Sequence, residues 1–137
     1  MKRKISFALI IILSMMLVMQ TVVVATNASL YNNNTLSTAT YFTISSTGRA
    51  AVVVDYEGYP DVTTGATITI KIEKRTLLLF WSDVVEDTIT VVGERYFDEL
   101  YYQLEATGTY RCTVIYTISG TGGADDVIPF EDTAKYE

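Results

Sequence analysis

The sequence predicts an all-β protein: a two-sheet antiparallel β-sandwich of seven or eight short strands behind an N-terminal signal helix. Three observations carry that expectation. Apolar and polar residues alternate with period two through most of the chain after residue 38, turn-forming clusters recur between the alternating runs, and no convincing 3.6-residue pattern competes.

The chain opens on Lys2, Arg3 and Lys4, continues through an apolar run from Ile5 to Met19, and reaches small residues between Val22 and Ala28. This is the three-part signature of a secretory signal peptide. Cleavage after Ala25 would leave Val23 and Ala25 at the positions the peptidase reads; cleavage after Ala28 would leave Thr26 and Ala28. The competing expectation is an uncleaved anchor through residues 5–25, close to the roughly twenty residues that cross a bilayer. Ser14, Gln20 and Thr21 interrupt that run, and no cationic stop follows it. The expected organisation is a signal peptide over 1–28, a flexible lead-in over 29–37, and one sandwich domain over 38–137. A secreted protein is expected, with membrane anchoring through 5–25 as the alternative.

Ser29 to Ser37 hold three consecutive asparagines among polar, turn-prone residues, which reads as the lead-in. Thr40, Phe42 and Ile44, then Val52, Val54 and Tyr56, are expected to form a hairpin around a turn at Ser46, Thr47 and Gly48. Gly58, Tyr59, Pro60 and Asp61 mark the next loop. Ala66, Ile68, Ile70 and Ile72 alternate with Thr67, Thr69, Lys71 and Glu73, the clearest strand of the chain. The apolar run Leu77 to Val85 is expected to be a strand whose inward face includes Leu77, Leu79 and Trp81. Ile89 to Val92 reads as a further strand. Tyr96 to Leu104 carries Leu100, Tyr102 and Leu104 at alternate positions, although residues 94–105 also fit a helix, with Phe97, Leu100, Tyr101 and Leu104 on one side. Tyr110, Cys112, Val114, Tyr116 and Ile118 repeat the alternation. After the loop at Gly120, Thr121, Gly122 and Gly123, Pro129 makes the last strand, around Val127, Ile128 and Phe130, an edge.

At Gly108-Thr109-Tyr110-Arg111-Cys112 the chain resembles the Gly-x-Tyr-x-Cys stretch of immunoglobulin-like domains, in which the tyrosine hydroxyl bonds upstream backbone. That resemblance implies a sandwich with Trp81 as its core tryptophan; the partner cysteine of that fold is missing here. In layout the chain also resembles an uncharacterised family of small secreted β-rich proteins of Gram-positive bacteria. The shared pattern runs through Gly48-x-Ala50, Thr63-Thr64, Ile68-x-Ile70-x-Ile72-Glu73-Lys74-Arg75, Trp81, Gly108-Thr109-Tyr110-Arg111, Tyr116 and Tyr136. It implies a secreted β-sandwich and carries over no catalytic or binding residue.

Composition narrows the chemistry. Loss of the signal would leave 7 basic residues against 16 acidic ones, a formal charge of −9. Such a surface repels phosphate backbones and anionic lipid, so no nucleic-acid partner and, once the signal is cleaved, no stable membrane association are expected. The chain has no histidine, which removes Ser-His-Asp and Cys-His nucleophile pairs and the commonest zinc ligand. Its single cysteine, Cys112, has no partner for a disulfide and reads as a small buried hydrophobe. The carboxylate pairs Asp98 with Glu99 and Asp125 with Asp126 are adjacent in sequence, and neighbours on a strand point to opposite faces. No catalytic residue, metal site or cofactor is expected; Asp125 and Asp126 read as a solvated acidic turn rather than a calcium site.

Tyrosine is unusually frequent, with ten in 137 residues. Tyr41, Tyr59, Tyr96 and Tyr101 fall outside the expected inward faces, and an exposed tyrosine offers an apolar body with a polar tip for stacking on sugars or anchoring a protein. The expectation is therefore a non-catalytic binding or interaction module for an extracellular glycan or protein. The alternatives are an envelope subunit that assembles by strand addition and, less favoured, a small carboxylate-dependent hydrolase.

Overall fold

The computed structural model describes residues 32–137; the signal segment with both cleavage sites, the alternative anchor and the first lead-in residues, 29–31, lie outside them. Seven strands follow one another: β1 (Thr35–Ile44), β2 (Arg49–Gly58), β3 (Thr63–Thr76), β4 (Phe80–Val92), β5 (Arg95–Gln103), β6 (Gly108–Gly120) and β7 (Asp126–Tyr136). They form a three-stranded sheet in the order β1-β2-β5 and a four-stranded sheet in the order β4-β3-β6-β7, and every pairing is antiparallel. This is the expected sandwich. Relative to the constant-type immunoglobulin arrangement, the fourth strand pairs with the third instead of the fifth.

Alternation builds the core. Val52, Val54 and Tyr56 from β2 face Ile68, Ile70 and Ile72 from β3 and Cys112, Val114 and Tyr116 from β6, all buried. The central strands β2, β3 and β6 bury their inner residues fully, and the edge strands β4 and β5 bury theirs only in part. This core and all seven strands lie within residues 32–137, a single compact unit with the contents of an independently folding domain.

Core tyrosines carry their hydroxyls to the rim, where each finds a partner. Tyr116 crosses between the sheets, donating to the Ala39 carbonyl at 3.1 Å and lying 2.6 Å from Thr40 Oγ1. Tyr102 of β5 donates to Asp87 of β4 at 2.9 Å, tying the two sheets along their open side. Tyr110 donates to the carbonyl of Ala106, the corner that the Gly-x-Tyr-x-Cys stretch anticipates.

Four expectations need correction. Thr35 to Ser37, assigned to the lead-in, belong to β1, because Asn33, Asn34 and Thr35 are hydrogen-bonded to Asp126. Leu77, Leu78 and Leu79 are the turn of the β3–β4 hairpin, with Thr76 paired to Phe80, and not the inward face of a strand. β4 then runs unbroken to Val92, where two strands were expected. Trp81 lies on the outer face instead of in the core, for a specific reason. Ile72 pairs with Val85 but Glu73 pairs with Asp83, so Val84 is an extra residue. This bulge reverses the faces of β4, and Trp81 and Asp83 point outward while Val85 and Ile89 point inward. Residues 95–103 are the strand β5, with Leu100 and Tyr102 packed on the core, which settles strand over helix there.

Candidate functional site

The outer face of the three-stranded sheet gathers the exposed aromatics. Tyr41 of β1 pairs with Val53 of β2, which pairs in turn with Glu99 of β5. Phe97 and Tyr101 flank Glu99 two residues away on either side, so all three rings rise from one surface. Tyr41 is 65 % exposed, Phe97 69 % and Tyr101 48 %. Ordinary strand spacing and rise place the Tyr41 Cβ about 12 Å from those of Phe97 and Tyr101. Val53 and Ala51 form an apolar floor between the rings.

Polar groups ring this platform. The Arg49 guanidinium stacks 3.6 Å from the Tyr101 ring centre, which holds that ring in place. The Glu99 carboxylate beside the Tyr101 hydroxyl, with some desolvation, raises the phenol pKa, so it stays a neutral donor in solution. Beyond Phe97 a shallow depression of about 290 Å³ is lined by Asp55, Glu57, Arg95 and Phe97, and Arg95 pairs with Glu57 across it. Such a surface combines apolar ring faces with fixed donors and acceptors, which suits stacking and hydrogen bonding.

Two of the four expected tyrosines share this face. Tyr41 and Tyr101 do; Tyr59 does not, because it sits in the β2–β3 turn, where its carbonyl accepts the N–H groups of Val62 and Thr63. Tyr96 is a correction. It packs inward against the core and donates to Asp98 at 3.0 Å; burial and then that carboxylate raise its pKa. Phe97 was missed, although parity with Leu100 and Tyr102 assigns it to the opposite, outer face.

The carboxylate pairs resolve differently from one another. Asp98 faces inward and Glu99 outward, so they do not converge. Asp126 is buried and accepts the N–H groups of Asn33 and Asn34 at 2.9 and 2.8 Å and the Thr35 hydroxyl at 2.8 Å, which corrects the expected solvated turn. Only Asp125 is exposed there. Among the described residues no group of three or more carboxylate, cysteine or histidine side chains gathers at one point.

No protein-family model, curated protein or solved structure matches this chain, so its site rests on its own residues.

Proposed function

We propose that this chain is a secreted, non-catalytic binding module that holds an extracellular glycan against the outer face of its three-stranded sheet. One observation carries the reading: Tyr41, Phe97 and Tyr101 stand exposed on a single face around Val53. Sugar rings present apolar C–H faces edged by hydroxyls. Aromatic rings meet the faces, and Arg49, Asp55, Glu99 and Arg95 lie within reach of the hydroxyls. Export is supported by the N-terminal signature of Lys2 to Ala28. The divergence of Asp98 from Glu99, and of Asp125 from Asp126, supports binding over hydrolysis.

A protein partner is the second reading, favoured by the Arg49–Tyr101 stack, since Tyr and Arg are the residues most enriched at interface centres. Strand addition has less support. Pro129 on the β7 edge lacks a donor, and the β4 and β5 edges carry inward-facing carboxylates, Asp87 and Asp98, which resist edge pairing.

A glycan array probed with the chain from residue 29, followed by calorimetry on any ligand found, tests the proposal. Tyr41→Ala and Phe97→Ala should each weaken binding about tenfold, in line with loss of one stacked ring. Affinity unchanged in both variants would sink it. Capture of a protein by cross-linkers placed at residues 41 and 97, with no glycan bound, would favour the second reading.

A further inference from the structure

The β3–β4 hairpin ends in four consecutive apolar side chains that cover nothing. Leu77, Leu78, Leu79 and Phe80 are 83, 82, 80 and 65 % exposed. Leu77 also sits at φ +54°, a left-handed position where glycine or asparagine would relieve strain. A leucine kept in a strained, fully wet position gains nothing for the fold, so its use lies elsewhere.

The geometry points to a lipid bilayer as the occupant: the tip enters the boundary between headgroups and acyl chains. Four features on the hairpin favour lipid over a protein. All four side chains are open at once around a convex three-residue turn, and a fluid apolar phase covers such a tip on every side without a complementary shape. The carbonyl of Leu78, the middle residue of the turn, is already satisfied by Arg75 Nε and Nη2 at 3.0 and 2.6 Å, as an apolar medium requires. Lys74 and Trp81 flank the turn about 10 Å below its crest by ordinary strand rise, the level of the headgroups. Three of the seven cations in residues 32–137, Lys71, Lys74 and Arg75, lie on β3 near the turn, and a fourth, Arg111, lies beside them on the neighbouring strand β6. The nearby acids Glu73 and Asp83 are engaged by Lys71 and Arg111, and among the described residues neither Lys74 nor Arg75 pairs with a carboxylate. The overall negative charge therefore does not describe this pole of the molecule. The inference is independent of the glycan reading, which uses the other sheet.

Trp81 is the only tryptophan and adjoins the tip, so it reports insertion directly. The chain from residue 29 is mixed with vesicles of phosphatidylcholine, alone or with phosphatidylglycerol. Trp81 emission should shift to the blue and be quenched by bromine-labelled acyl chains. Leu78→Ser with Phe80→Ser should lower co-sedimentation about tenfold or more, from the loss of two apolar side chains, with an unchanged thermal melt. Lys74→Gln should reduce the preference for phosphatidylglycerol. Absence of co-sedimentation, or co-sedimentation equal in wild type and double variant, overturns the inference. So does a lipid-independent dimer that the double variant abolishes, which would assign the tip to a second copy of the chain.

Discussion

Asp126, at the start of β7, accepts the backbone N–H of Asn34 at 2.8 Å across 92 residues of sequence, and both residues are buried. The same carboxylate takes the Asn33 N–H and the Thr35 hydroxyl, while the Asn34 side chain donates to Ala124 and accepts from Gly122. One pole of the sandwich is thus closed by an acceptor-only group facing several donors. Asp126→Asn puts a donor among donors, and a cost of about 2–3 kcal/mol is expected in urea unfolding. Burial raises the Asp126 pKa, but the bonds from Asn34, Asn33 and Thr35 outweigh it and hold the group below the usual carboxylate range. With the folded pKa depressed, its stabilisation is complete above the ordinary carboxylate pKa and disappears as pH falls through the folded value. The gap between wild type and Asp126→Asn should therefore narrow below about pH 4; a constant gap would refute the charged-acceptor role.

Gly48 is held at φ +77° in the β1–β2 turn, where its carbonyl accepts the Leu104 N–H at 2.9 Å. A Cβ there would lie 2.7 Å from both the Leu104 carbonyl oxygen and the Tyr136 ring. Gly48→Ala should cost about 2 kcal/mol or more in thermal unfolding, through left-handed strain and the clash together. In the Tyr136→Ala background the penalty should shrink, because one of the two obstacles is gone; a fully additive double variant would contradict this geometry.

Cys112 lies in the centre of β6, sealed between the sheets. Burial, and then the Asp132 carboxylate, push its thiol up to about 12. At pH 8 the native protein should resist iodoacetamide, and labelling should proceed only as fast as the fold opens. Rapid labelling without denaturant would show that the core is not closed there.

Strand faces were legible wherever pairing runs unbroken. Ala66 to Ile72 and Tyr110 to Ile118 have the orientations that their alternation implies, because a half-buried strand leaves no other choice. Parity fails at a bulge: Trp81, Val85 and Ile89 are all odd-numbered, yet the extra residue Val84 puts the first on the opposite face. The leucine turn is not legible in the sequence because Leu77 occupies a left-handed position without the Gly or Asn that normally signals one. Burial of Asp126 depends on a partner 92 residues away, which no local pattern contains. Two of the three platform rings are legible in the sequence, since Tyr101 and Phe97 share a parity on β5. What local pattern lacks is the order β1-β2-β5, which brings Tyr41 across Val53 to the same face.

The outward turn of Trp81 creates a last testable arrangement. Glu73 is buried on the outer face of the four-stranded sheet, and Arg111 donates to it through Nε and Nη2 at 2.9 and 2.7 Å. The same guanidinium lies 4.5 Å from the Trp81 ring centre. Lys71 also reaches Glu73, at 3.4 Å, but it is the more exposed cation and shares itself with Asp83 at 2.9 Å. Two cations on one carboxylate should then differ in weight. Arg111→Ala leaves Glu73 buried with its better partner gone, and about 2–3 kcal/mol should be lost. Lys71→Ala removes a solvent-screened pair and should cost about 0.5 kcal/mol or less. Trp81 distinguishes the two independently of stability: removal of the stacked guanidinium uncovers the ring, so emission should shift to the red in Arg111→Ala and stay in place in Lys71→Ala. Equal costs in urea unfolding, or an unmoved emission maximum in Arg111→Ala, would show that Glu73 is held by something other than the Arg111 bridge.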